Sequence, residues 1–144
     1  MKQVLIALDY SPSAQKIAEM GYAIAQSIDA EVALVHVVLD PAMYSTCYLD
    51  LGELQLDGVE CIKDVAKQYL ENIKLKLGDD NIEMYVEEGD AANIIQSVAH
   101  LLTVDFIVMG SHSQSWIANK LLGSVTESVL RHTSIPMIII PNKK

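Results

Sequence analysis

Cysteine is scarce in this sequence. The 144 residues hold only Cys47 and Cys61, and the four histidines, His36, His100, His112 and His132, are scattered. No pair has the short spacing of a structural zinc site. The two thiols are expected to be free, in a reducing compartment. Long apolar runs are also missing. The longest, Ile135 to Ile140 around Pro136, is far too short to cross a bilayer, so no membrane association is expected. Met1-Lys2-Gln3 leads straight into apolar residues with no small-residue cleavage site, so no signal peptide is expected and the compartment is expected to be the cytoplasm. Aromatic residues make up 6% of the chain against 51% hydrophobic residues in all, so the core must be built from aliphatic side chains. Positive charge is short: 10 Lys and Arg face 19 Asp and Glu, a formal net charge of −9. An acidic domain repels phosphate backbones at long range, and nucleic acid is not an expected partner. A small nucleotide is a separate matter, because local amides and a metal ion decide its binding.

Several familiar signatures are absent as well. Dinucleotide folds pack glycines after their first strand, and Asp9-Tyr10-Ser11-Pro12 has none. There is no Walker lysine motif. A phosphoreceiver of the flavodoxin type wants an acidic pair after its first strand, and here Asp9 stands alone.

What is present alternates between two periods. Val4 to Leu8 is an apolar run of the kind buried on both faces of a parallel sheet. Ser11-Pro12 suits an N-cap followed by proline at the first helical position. A helical stripe follows through Ala14, Ile17, Ala18, Gly21, Ile24, Ala25 and Ile28. Glu31 to Val38 reads as a second buried strand. Asp40 to Gly58 is long for a connection, with room for a short helix, and such segments serve as lids or contact surfaces or lack order. Ile62, Val65, Ala66, Tyr69, Leu70, Ile73 and Leu77 form a second helical stripe, closed by Gly78 as a left-handed C-terminal residue. Ile82 to Val86 alternates like a strand near the sheet edge. Asp90 caps a third helix carrying Ala91, Ile94, Ile95, Val98, Ala99 and Leu102. Val104 to Met109 is a fourth strand, Leu121 to His132 contains a fourth helix, and Met137 to Ile140 is a fifth strand entered through Pro136. This alternation predicts one α/β domain over residues 1–144: a five-stranded parallel sheet with helices on both faces, a three-layer Rossmann-like fold.

In such sheets ligands bind beyond the carboxyl ends of the strands, where the strand order reverses. That directs attention to Asp9–Ser13 and Gly110–Thr126. The second segment is rich in small and hydroxyl residues, leaves a strand and ends at a helix start, where unpaired amides and a partial positive charge attract phosphate. Two plainer readings stand beside this one. Ser124-Val125-Thr126-Glu127 fits a capping box, and Gly110 fits a tight turn. The side readings are weighed in the same way: His36 as a hydrogen-bonded core residue, His112 and Lys120 as solvated loop residues or phosphate contacts, Trp116 and Ile117 as loop anchors or a surface interface, Tyr44 and Tyr48 as loop packing or a cover over the site.

Gly110, Gly123 and Ser124 match the spacing glycine, two residues, glycine, nine residues, glycine, serine or threonine. The flanks Val108-Met109-Gly110-Ser111-His112 and Leu121-Leu122-Gly123-Ser124-Val125-Thr126-Glu127, the closing Arg131-His132-Thr133-Ser134-Ile135-Pro136, the opening Ala7-Leu8-Asp9-Tyr10-Ser11 and the strand ending His36-Val37 all accord with one pattern. In these residues the chain resembles the ATP-binding universal stress proteins along its whole length, least between Asp40 and Gly58. The resemblance implies an adenine nucleotide, ATP or AMP, at the switch point. Asp9 would lie near the ribose or metal, with Ala7 beside it. Val37 would meet the adenine edge through its backbone. Gly110 would lie near the ribose, and Met109 joins the site as the strand residue before it. Ser113, Gly123, Ser124 and Val125 would face the phosphates, and Ser124 is the candidate contact for a magnesium ion, which keeps waters and shares substrate phosphates. The resemblance also implies a homodimer through the last strand. The chain departs from the motif at one place, Ser113 in the position of the middle glycine. Two functions follow: a nucleotide-binding regulatory module with little or slow hydrolysis, or a stress-response interaction protein that dimerises without nucleotide, Ser113 marking the lost site.

Overall fold

The computed structural model describes residues 2–38, 58–111 and 122–142, without the side chains of 58–61. The Asp40–Gly58 connection up to residue 57 and the loop 112–121, with Ser113, His112, Trp116, Ile117 and Lys120, therefore lie outside the described residues, as do Tyr44 and Tyr48. The described elements run β1 (Gln3–Ala7), α1 (Ala14–Ser27), β2 (Glu31–Val38), α2 (Gly58–Leu77), β3 (Glu83–Glu88), α3 (Ala91–Leu101), β4 (Phe106–Gly110), α4 (Ser124–His132) and β5 (Met137–Ile140).

The five strands form one sheet in the order β3-β2-β1-β4-β5, and every pairing is parallel. The predicted α/β architecture is therefore the observed one. Strand residues alternate between two cores. Val4, Ile6, Val32, Leu34 and Val108 pack with Ala14, Ile17 and Ala18 of α1 and Leu70 and Ile73 of α2. Leu5, Ala33, Val35, Ile107 and Met109 pack with Ala92, Ile95 and Val98 of α3 and Val129 of α4. A strand buried on both faces has no exposed positions to alternate, which explains the apolar run of β1 and that of β2, where His36 is the one polar residue between Val32 and Val38. β3 lies at the edge, and its pattern of partial exposure agrees with the expected edge strand. Among the described residues no helix is long and apolar enough to cross a membrane.

Three local expectations need correction. Ser11 does not cap α1; Ser13 does, without a side-chain bond. The Asp9 carboxylate accepts the Ser11 amide at 2.9 Å, and the Ser11 carbonyl accepts the Ala14 amide at 3.1 Å. Pro12 is thereby held in a turn before the helix, as Asx-turn chemistry favours. Val65, placed in the buried stripe of α2, is 52% exposed. The capping box at Ser124 does not form either. Gly123 occupies the cap position in extended conformation, Ser124 becomes the first helical residue, and the Glu127 carboxylate pairs with Arg131 one turn on, at 2.8 Å.

Other ends close as expected. The Asp90 carboxylate accepts the Asn93 amide at 3.1 Å, and Gly78 has φ +73°. The turns after α1 and α3 are built alike. Asp29 (φ 59°) and Thr103 (φ 53°) are left-handed, and the amides of the following residues, Ala30 and Val104, reach back to Ala25 and Ala99 at 2.9 and 3.1 Å. These are Schellman closures.

Candidate functional site

The strand order reverses between β1 and β4, so the connections from their carboxyl ends leave toward opposite faces and a crevice opens between them. The crevice is present as a cleft with about 570 Å³ of empty space, part of it open to solvent. Of the residues anticipated for the site, Ala7, Asp9, Val37, Met109, Gly110 and Val125 line it. Gly123 and Ser124 are not among the lining residues; they stand at the start of α4, directly before Val125 and Thr126, which are. Ser113 lies outside the described residues.

Ala7, Val35, Val37 and Met109 are on the sheet face packed against α3 and α4. With Ala91 and Ile95 of α3 they make the cleft largely apolar. Among the described lining residues Asp9 is the only charged group. The amides of Ser124, Val125 and Thr126 precede the first internal bond of α4, from the Glu127 amide to the Gly123 carbonyl at 2.9 Å. They are the unpaired donors of a helix start. Ser124 is exposed. Freed from the cap role, its hydroxyl is available to a ligand.

The β4 tip is held by close packing. A Cβ on Gly110 would lie 2.5 Å from Cδ1 of Ile17 and 2.6 Å from Oδ1 of Asn142. Any side chain there would force the tips of Ile17 and Asn142 to shift. Thr126, only 4% exposed, donates its hydroxyl to the Gly110 carbonyl at 2.9 Å. The Gly123 amide donates to the Ser111 carbonyl at 2.7 Å, which ties the two ends of the loop together.

The β1 tip is held from the opposite face. His36, 4% exposed, places Nδ1 2.8 Å from the Leu8 carbonyl. A carbonyl only accepts, so Nδ1 carries the proton and donates. The Tyr69 hydroxyl donates to the next carbonyl, that of Asp9, at 2.6 Å. The Tyr10 ring lies 4.3 Å from the His36 ring and 4.7 Å from the Tyr69 ring, centroid to centroid. Burial lowers the His36 pKa, against the opposing pull of the Leu8 carbonyl and the Asp9 charge. Burial, then the nearby Asp9 and Tyr10, push the Tyr69 hydroxyl up to about 12. The expectation of His36 as a hydrogen-bonded core residue is met.

Sequence reasoning missed Leu8, Ile17, Val35, Ala91 and Ile95 as lining residues, and it reached Thr126 only as the end of the Gly110–Thr126 segment. Most of them read as ordinary core positions, and only the strand order shows that their outer ends face the crevice. Among the described residues no group of three His, Cys, Asp or Glu side chains is placed to hold a metal ion. Any magnesium here would be carried mainly by ligand phosphates and water.

A model of the universal stress protein family matches residues 1–141. Universal stress protein A of Escherichia coli K12 is 26% identical over 141 residues, which cover 97% of this chain and 94% of the relative. A universal stress protein of Methanocaldococcus jannaschii is 28% identical, over 99% of this chain and 84% of the relative. Among solved structures, the protein MJ0577 superposes with a TM-score of 0.79 at 28% identity, covering 99% of this chain and 97% of that one. A universal stress protein solved in complex with cAMP superposes with a TM-score of 0.65 at 20% identity, covering 96% and 95%, and shares the fold.

Proposed function

The chain belongs to the universal stress protein family, and on that premise we propose that it is a regulatory module binding an adenine nucleotide, ATP or AMP, in the cleft between the β1 and β4 tips. The cleft itself carries the reading. It joins an apolar slot of Val37, Ala91 and Ile95, suited to a base, to Asp9 near the ribose or metal and to the open start of α4 for phosphates. The arrangement receives an anion on amides and the hydroxyl of Ser124 rather than on cations. Hydrolysis is slow in this reading. Phosphoryl transfer needs a placed base and cationic stabilisation, and Lys120 is the only Lys or Arg from Gly110 to Glu127. The protein works in the cytoplasm, as a homodimer joined through β5, with magnesium entering on the nucleotide.

Isothermal titration with Mg-ATP and with AMP tests this. Heats that fit a single site per chain, with dissociation constants between micromolar and millimolar, are expected. A flat titration from well-folded protein overturns it. The second reading, an interaction protein without nucleotide, is favoured by two observations: Ser113 stands at a motif glycine, and packing alone accounts for Gly110. Ser113→Gly separates the two if the wild type does not bind, since restored binding would assign the loss to that residue.

A further inference from the structure

The two hydrogen bonds that hold the β1 tip come from side chains with no place in the cleft. His36 and Tyr69 donate to consecutive main-chain carbonyls, Leu8 and Asp9. Neither lines the cleft, whereas both Leu8 and Asp9 do. Each carbonyl fixes the plane of its peptide, and the two planes together fix the direction in which the Asp9 side chain leaves the backbone. That side chain already spends one oxygen on the Ser11 amide at 2.9 Å, which leaves the other for a ligand. The His36 ring is packed between Tyr10 and Tyr69, and its Nε2 is buried without a hydrogen-bond partner among the described residues. A buried unpaired acceptor is costly, so the ring does not contribute through that nitrogen. Its polar contribution there is the single donation to Leu8.

We propose that His36 and Tyr69 are positioning residues for the nucleotide site, setting the ligand-facing tip of β1 from the reverse face of the sheet. The inference rests on the nucleotide reading for its binding consequence, and on the two hydrogen bonds for its structural one. Loss of either donor frees a carbonyl to turn and misaims Asp9, which weakens ligand binding more than it weakens the fold.

Three variants test it. Tyr69→Phe removes one hydroxyl and keeps the ring. His36→Leu removes the ring's donor at similar volume. His36→Asn restores a donor near the position of Nδ1. Mg-ATP affinity by titration, thermal midpoint, and amide hydrogen exchange at Asp9, Tyr10 and Ser11 without ligand are measured on each. Affinity is expected to fall about 2- to 10-fold in Tyr69→Phe and His36→Leu, as for one lost hydrogen bond, and to recover in His36→Asn. Exchange at the three amides accelerates in the first two variants while that at Gly110 and Ser111 stays unchanged. Unaltered affinity with unaltered local exchange overturns the proposal. So does loss of affinity only in step with global stability. If the wild type binds no nucleotide, the site reading fails. Exchange then decides the positioning role alone: acceleration confined to the β1 tip supports it, and no change overturns it.

Discussion

The two sides of the cleft are fixed by different physics. The β4 side is held by space and main chain: Gly110 fits because it has no side chain, and Thr126, Ser111 and Gly123 close hydrogen bonds onto backbone carbonyls and amides. The β1 side is held by titratable side chains reaching from the other core, His36 and Tyr69, and by the Asp9 carboxylate itself. Packing is insensitive to pH and intolerant of volume. A tip held by titratable donors is the reverse: it depends on each donor more than on volume, and it responds to protons. The β4 side is therefore the rigid wall and the β1 side the adjustable one.

The sharpest way to break that contrast is Gly110→Val. The new side chain must displace both Ile17 and Asn142, and overpacking of this kind costs about 1–3 kcal/mol. Urea unfolding should show that loss; a wild-type midpoint would mean the β4 side is not sterically fixed. Thr126→Val keeps the shape and leaves the Gly110 carbonyl without its donor. A cost of about 1–2 kcal/mol is expected for an unpaired buried acceptor, again by urea unfolding, and no loss would remove that bond from the account.

The smallest effect separates the walls most cleanly. His36 has a folded pKa below its ordinary 6.5. The unfolded chain therefore takes up its proton first, and the contribution of His36 is full above about 6.5 and is lost as pH falls from there through the lower folded value. Tyr69 is raised from 10.0 to about 12. The unfolded chain releases that proton first, so its contribution is full below about 10 and is lost as pH rises toward 12. Stability should be level between these limits with respect to both groups. In an NMR titration below pH 6.5 the amides of Asp9 and Tyr10 should move while those of Gly110 and Ser111 stay still. Equal movement at both tips would erase the distinction.

Much of this was legible in the sequence because strands and helices differ in period. β2 and β5 have the predicted limits, Glu31–Val38 and Met137–Ile140. The position of the switch point followed from the order of elements. The start of α1 was misread because an Asx turn at Asp9 competes with the Ser-Pro cap signal, and only the folded loop shows which one prevails. The cap of α4 was misread because Gly123 offers no side-chain signal, while Ser124 and Glu127 offer a misleading one. Ala91 and Ile95 were seen as core because helical periodicity gives the buried stripe without saying which end of it meets open space. His36 was placed correctly as a buried hydrogen-bonded residue; its partner, a carbonyl 28 residues away, could come only from the pairing of β1 with β2.

At the amino-terminal pole of the sheet, Thr103 keeps a β-branched side chain in a left-handed turn, a conformation that disfavours such residues by about 1–2 kcal/mol. Asparagine or glycine would rest there with less strain. The molecule thus holds a reserve of firmness in its base, far from its mouth, which engineering could release without altering what the mouth receives.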